Sequence, residues 1–67
     1  MDALRYEIVV RGLLSPRLNA AFGELSVEQR RGATALTGDF ADQAQLHHVL
    51  DRLGDLGLEV VSVDAVG

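Results

Sequence analysis

Residues 4–11, LRYEIVVR, alternate between apolar and polar positions. Leu4, Tyr6, Ile8 and Val10 fall on one side, and Arg5, Glu7, Val9 and Arg11 on the other. A repeat of two is the mark of a half-buried strand, and Gly12 ends it. Residues 15–23, SPRLNAAFG, change the period: Leu18, Ala21 and Phe22 recur at the i, i+3, i+4 spacing of a helix face. Ser15 suits the N-cap and Pro16 the first helical position, where no backbone N–H is needed. Gly23 is the expected stop, through a positive φ. Residues 24–30, ELSVEQR, alternate again, with Leu25 and Val27 inward and Glu24, Ser26, Glu28 and Arg30 outward. Arg31 and Gly32 form a hairpin turn. Residues 33–38 form a third strand with Thr34 and Leu36 inward and Ala33, Ala35 and Thr37 outward.

A second helix opens at Asp42, with Gln45 three residues on in a capping-box arrangement. Leu46, Val49, Leu50 and Leu53 form its apolar stripe, Leu56 extends it, and Gly57 caps it. Residues 58–66, LEVVSVDAV, form the last strand, with Val61, Val63 and Ala65 inward. The order β-α-β-β-α-β predicts an α+β, ferredoxin-like sandwich over residues 1–67. Two right-handed crossovers place both helices on one face of a four-stranded antiparallel sheet of order 4-1-3-2.

The predicted helices leave the other sheet face bare. Its expected residues are Arg5, Glu7, Val9, Ser26, Glu28, Ala35, Thr37, Val60 and Ser62. Val9, Ala35 and Val60 make a small apolar middle inside a charged rim, the composition of an interface with a dry centre. Solvated open faces with a few small apolar groups are also ordinary. Arg5, Arg11 and Arg30 share this surface with Glu7, Glu24 and Glu28. They form either a cross-strand Glu–Arg lattice or an anion site.

Composition sharpens the picture. A single core in 67 residues supplies only about 3–5 kcal/mol. Small domains lean on disulfides, metals or self-association. The chain has no cysteine, which removes disulfides, thiolate zinc sites, iron–sulfur clusters and cysteine nucleophiles. Self-association is then the expected support. All six basic residues are arginine and the net charge is −4, a poor match to phosphate backbones, so no nucleic-acid partner is expected. No apolar run reaches the ~20 residues that span a bilayer. The start, MDALRYEIVV, lacks the character of a signal peptide, so the expected compartment is the cytoplasm and no membrane partner is expected.

The adjacent histidines of the second helix are the most chemical feature. Neighbours on a helix point about 100° apart, so His47 and His48 do not ligate one ion together. His47 and Asp51 have the i, i+4 spacing of a helical metal pair and are weak candidates. His48 is placed nearly opposite the core, without the pocket a general base needs. Ser15, Ser26 and Ser62 have no identifiable triad partners, and no cofactor motif is present.

Almost the whole chain resembles a group of short stand-alone proteins common in actinobacteria. The likeness rests on Phe22, Gly23, Asp42, Gln43, Leu46, His47, Leu50, Leu58, Val61, Ser62 and Val63; it implies a fold and little chemistry. More distantly, the chain is similar to ACT regulatory domains, which bind amino acids between paired domains, although GLLSPR stands here in place of their Asp-x-Pro-Gly turn. Paired cysteines for metal transport are absent, and Tyr6 and Phe22 are expected inside, not displayed for base stacking as in RNA-recognition motifs.

The leading expectation is a non-catalytic interaction or regulatory module. It would self-associate or bind a protein partner through the open sheet or an edge strand. One alternative is a small enzyme or ligand-binder of the paired α+β-barrel type, with an enclosed pocket holding Tyr6, His47 or an arginine. Another is an ACT-like small-molecule sensor.

Overall fold

A computed structural model describes residues 4–66 of the chain. Six elements follow in order: β1 (Leu4–Arg11), α1 (Pro16–Ala21), β2 (Ser26–Arg30), β3 (Ala33–Phe40), α2 (Gln43–Asp55) and β4 (Val60–Ala65). The sheet is antiparallel throughout, in the order β2-β3-β1-β4, which is the expected 4-1-3-2 read from the other edge. Residues directly opposite in antiparallel strands share a face. Ile8 lies opposite Leu36 and Val63, so these three sit on the helix side. Val9 lies opposite Ala35 and Ser62 on the open side.

One buried cluster joins Ile8 and Val10 of β1 and Leu36 of β3 to Leu46, Val49 and Leu53 of α2. Phe22, just after α1, and Leu14, just before it, belong to the same cluster, and Leu18 of α1 packs against it. Both helices therefore cover the same sheet face. Thr34 is the buried polar member. Its hydroxyl donates to the Gly12 carbonyl at 2.9 Å and accepts from the Leu14 N–H at 3.3 Å. This ties the bend after β1 to the centre of the sheet.

Local chemistry sets the element ends. Ser15 accepts from the Leu18 N–H at 3.3 Å with Pro16 behind it, and Asp42 accepts from the Gln45 N–H at 2.9 Å. The Gln45 side chain closes back onto the Ala41 N–H at 2.7 Å, one residue before the position a capping box uses. Gly32 and Gly57 hold the left-handed conformations their turns require, with φ of 65° and 78°. Gly23 does not: α1 stops at Ala21, and Phe22 caps it at φ −118°. The reason is packing, because Phe22 turns its ring fully into the core and the backbone leaves the helix to place it there. β3 runs two residues further than expected, through Asp39 and Phe40. Gly38 makes this possible, since any Cβ there would collide with the Leu25 side chain that lies across it.

β4 departs most from its expected form. A bulge between Val9 and Val10 of β1 leaves Val61 as the extra residue. Val60 thereby lies opposite Val10, on the helix side, not on the open face. Val63 and Ala65 take the expected side, opposite Ile8 and Tyr6, but they are not buried. Val61 is 54% exposed and Val63 37%. The core centres on β1 and β3, and α2, although it contacts β4, leaves these side chains exposed. No helix among the described residues is long and apolar enough to cross a membrane.

Candidate functional site

Three places carry the features that sequence reasoning singled out: the open sheet face, the flanks of α2 and the β4 edge. On the open face, Glu28, Ala35, Val9 and Ser62 form one cross-strand row, and Ser26, Thr37, Glu7 and Asp64 the next. Arg5 stands opposite Asp39 at the end of the sheet. All the expected open-face residues except Val60 are thus on this side. The apolar middle is nevertheless not displayed. Arg30 of β2 donates from Nε to Glu28 at 2.9 Å and from Nη2 to Glu7 at 3.0 Å. Glu7 belongs to β1, so the guanidinium crosses over β3, above Ala35, which is only 1% exposed. The two carboxylates hold the Arg30 guanidinium above its usual pKa, Glu28 through its hydrogen bond most of all and Glu7 through hydrogen bond and charge. The face that was expected to offer small apolar groups offers an ionic strap.

Arg5 and Arg11 are engaged as well, with Asp39 at 3.2 Å and Glu59 at 3.1 Å. The three arginines considered as an anion site each face a carboxylate, in the lattice that was the other reading of the same residues. Exposed pairs of this kind contribute little to stability, because solvent screens them. They set the surface chemistry more than the stability.

The flanks of α2 differ from each other. On one flank Gln43 donates to the Tyr6 hydroxyl at 3.2 Å, and Tyr6 packs edge-on against Phe40 with ring centroids 6.2 Å apart. His47 follows on this side and is exposed, as is Asp51. Among the described residues no group of three or more His, Cys, Asp or Glu side chains is placed to hold a metal. On the other flank His48 is exposed, as expected, but it is not isolated. It lines a cleft of about 330 Å³ with Glu24, Gln45 and Arg52 at the rim and Leu25, Phe40 and Val49 below. The cleft lies between α2, the segment leading into β2 and the end of β3.

Arg52, which sequence reasoning passed over, is the organising residue of that flank. Its Nη2 donates to the Ala21 carbonyl at 2.7 Å, and its guanidinium carbon lies 4.7 Å from the centre of the Phe22 ring. Glu24 approaches Nη1 at 3.8 Å. Arg52 therefore ties the C-terminus of α1 to α2 while it also lines the cleft beside Glu24. Of the groups that an enclosed ligand pocket was expected to hold, Tyr6, His47 or an arginine, the cleft carries an arginine, Arg52, and neither Tyr6 nor His47. Among the described residues its histidine has no hydrogen-bonded acid partner, so they assemble no nucleophile–base–acid arrangement there.

The third place is the free side of β4. The Val66 N–H donates to the Arg5 carbonyl at 2.8 Å. In an antiparallel ladder the backbone groups alternate in direction. Those of Ser62, Asp64 and Val66 therefore face β1, and those of Val63 and Ala65 face away. Among the described residues no strand meets them. Val60, Val61 and Val63, each at least 36% exposed, flank this row of free donors and acceptors. The other edge strand, β2, reads Ser-Val-Glu-Gln-Arg and carries charges, which discourage strand addition. β4 has a single charge, Asp64.

No curated protein and no solved structure matches the chain. A family model described as "Domain of unknown function (DUF8691)" matches residues 5–64, and the chain belongs to that family.

Proposed function

We propose that the chain is a non-catalytic interaction module, of the ferredoxin-like type, that self-associates or takes a protein partner through the β4 edge. The observation that carries this reading is the contrast between two surfaces. The open sheet face is strapped by Glu28–Arg30–Glu7. The β4 edge keeps unpaired backbone groups between exposed valines. Strand addition at such an edge takes its affinity from main-chain hydrogen bonds and its selectivity from alternate side chains. A catalytic reading lacks support, because His48 has no partner in its cleft and each strand arginine faces a carboxylate. The cytoplasm, expected from the sequence, remains part of the proposal.

The test compares the two surfaces directly. A photo-reactive side chain at Val61 is expected to capture protein in cells, either the chain itself or another. The same probe at Thr37, on the open face, is expected to capture none. Capture at Thr37 with nothing at Val61 overturns the reading.

A further inference from the structure

We propose that the occupant of the β4 edge is a second copy of the chain, paired antiparallel about a two-fold axis at Val63. This rests on the edge reading above and names its partner. A two-fold relation requires each residue and its opposite to add to a constant number, and alternation requires that outward-facing backbone groups meet each other. Centring on Val63 meets both conditions. Val63 bonds its own copy, and Ala65 lies opposite the partner's Val61. On the helix side Val63, which stands opposite Ile8, then lies against its own copy. On the open side each Asp64 faces the partner's Ser62, whose hydroxyl is a donor for that carboxylate. Centring one residue later would set Asp64 against its own copy, which like charge opposes.

Charge does not otherwise resist the pairing. Although the chain carries −4, Glu59 beside the seam is bonded to Arg11, and Asp64 is the one acid within the strand. Area sets the strength. An interface of standard size takes about 800 Å² from each partner, a little under a fifth of the 4425 Å² that the chain exposes. A seam of six residues covers less, so the pair is weak and reversible, with a Kd of about 10–100 µM.

The chain has no cysteine, so any disulfide in a single-cysteine variant joins two copies. Hydrogen-bonded antiparallel partners lie about 5.5 Å apart at Cα, within disulfide reach. V63C is expected to oxidise to the linked dimer about tenfold faster than S62C or D64C alone. A mixture of S62C and D64C is expected to give the mixed disulfide in preference to either self-linked product. Unmodified chain is expected to sediment as a dimer near ~1 mM and as a monomer near ~1 µM, and V61K to stay monomeric with its fold intact. A monomer at ~1 mM, or self-linking of S62C or D64C as fast as V63C, overturns the proposal. A monomer whose Val61 probe still captures another protein refutes the second copy and leaves the edge reading standing. A dimer captured through Thr37 refutes both.

Discussion

Gly38 and Leu25 show what a single position contributes to this fold. The flat crossing of Leu25 over β3 needs a residue without Cβ at 38. G38A is expected to lower stability by about 1–3 kcal/mol. Trimming Leu25 to Ala in the same chain is expected to recover part of that loss, which a double-mutant cycle in urea reads as a coupling between the two sites. Additive losses would show that the pair does not touch as described. Thr34 is the second such position. T34V leaves the buried Leu14 N–H without its acceptor and the Gly12 carbonyl without its donor. Its expected cost is about 1–3 kcal/mol, seen as a fall in thermal midpoint, and a neutral result would place water there instead. Caps and turns at this scale were legible in the sequence, because Ser15, Asp42, Gly32 and Gly57 act on their own neighbours. The Gly38–Leu25 contact was not, because those residues meet only after β2 and β3 pair.

Among the elements, the strands and their order follow from period-two alternation and from the two crossovers, and they came through with shifted ends. α1 is shorter than its pattern suggested, since Phe22 is needed in the core more than in a last helical turn. Six residues of helix are too few to stand unaided. Arg52 supplies what the length lacks by holding the Ala21 carbonyl and the Phe22 ring. R52A is expected to cost about 1–3 kcal/mol and to raise amide exchange in α1 more than in α2. R52K is expected to restore only part, because an ammonium does not reproduce the flat, forked contact. Equal exchange in both helices would mean that Arg52 acts on the whole fold and not on the junction. That junction escaped sequence reading because a long arginine 31 residues away from its acceptor looks like any solvated helix charge. The cleft beside His48 is not legible for the same reason, since what stands beside a helix flank is set by the neighbouring element. In β4 the run Val60, Val61 offers two apolar residues in succession, and alternation alone does not reveal which of them a bulge sets apart.

For the whole molecule, the consequence is a redistribution of bare surface. Sequence reasoning placed the candidate interface on the open sheet, with Val9, Ala35 and Val60 at its middle, or on an edge strand. The structure covers Ala35, half-buries Val9 and turns Val60 to the other side. The apolar exposure collects instead along β4, where α2 leaves Val60, Val61 and Val63 uncovered. A chain this short gains most from burying that edge, which joins the stability argument to the functional one. Breaking the Arg30 strap tests the converse. R30A is expected to leave the thermal midpoint nearly unchanged and self-association unaltered. An association tightened several-fold by R30A would return the open face to consideration.

The most direct measurement is a dilution series of the labelled chain from ~1 mM to ~1 µM, followed through its backbone amide chemical shifts. Shifts confined to residues 60–65 and the helix end above them are the expected result. Shifts centred on Val9, Glu28 and Thr37, or none at any concentration, would contradict docking at the β4 edge.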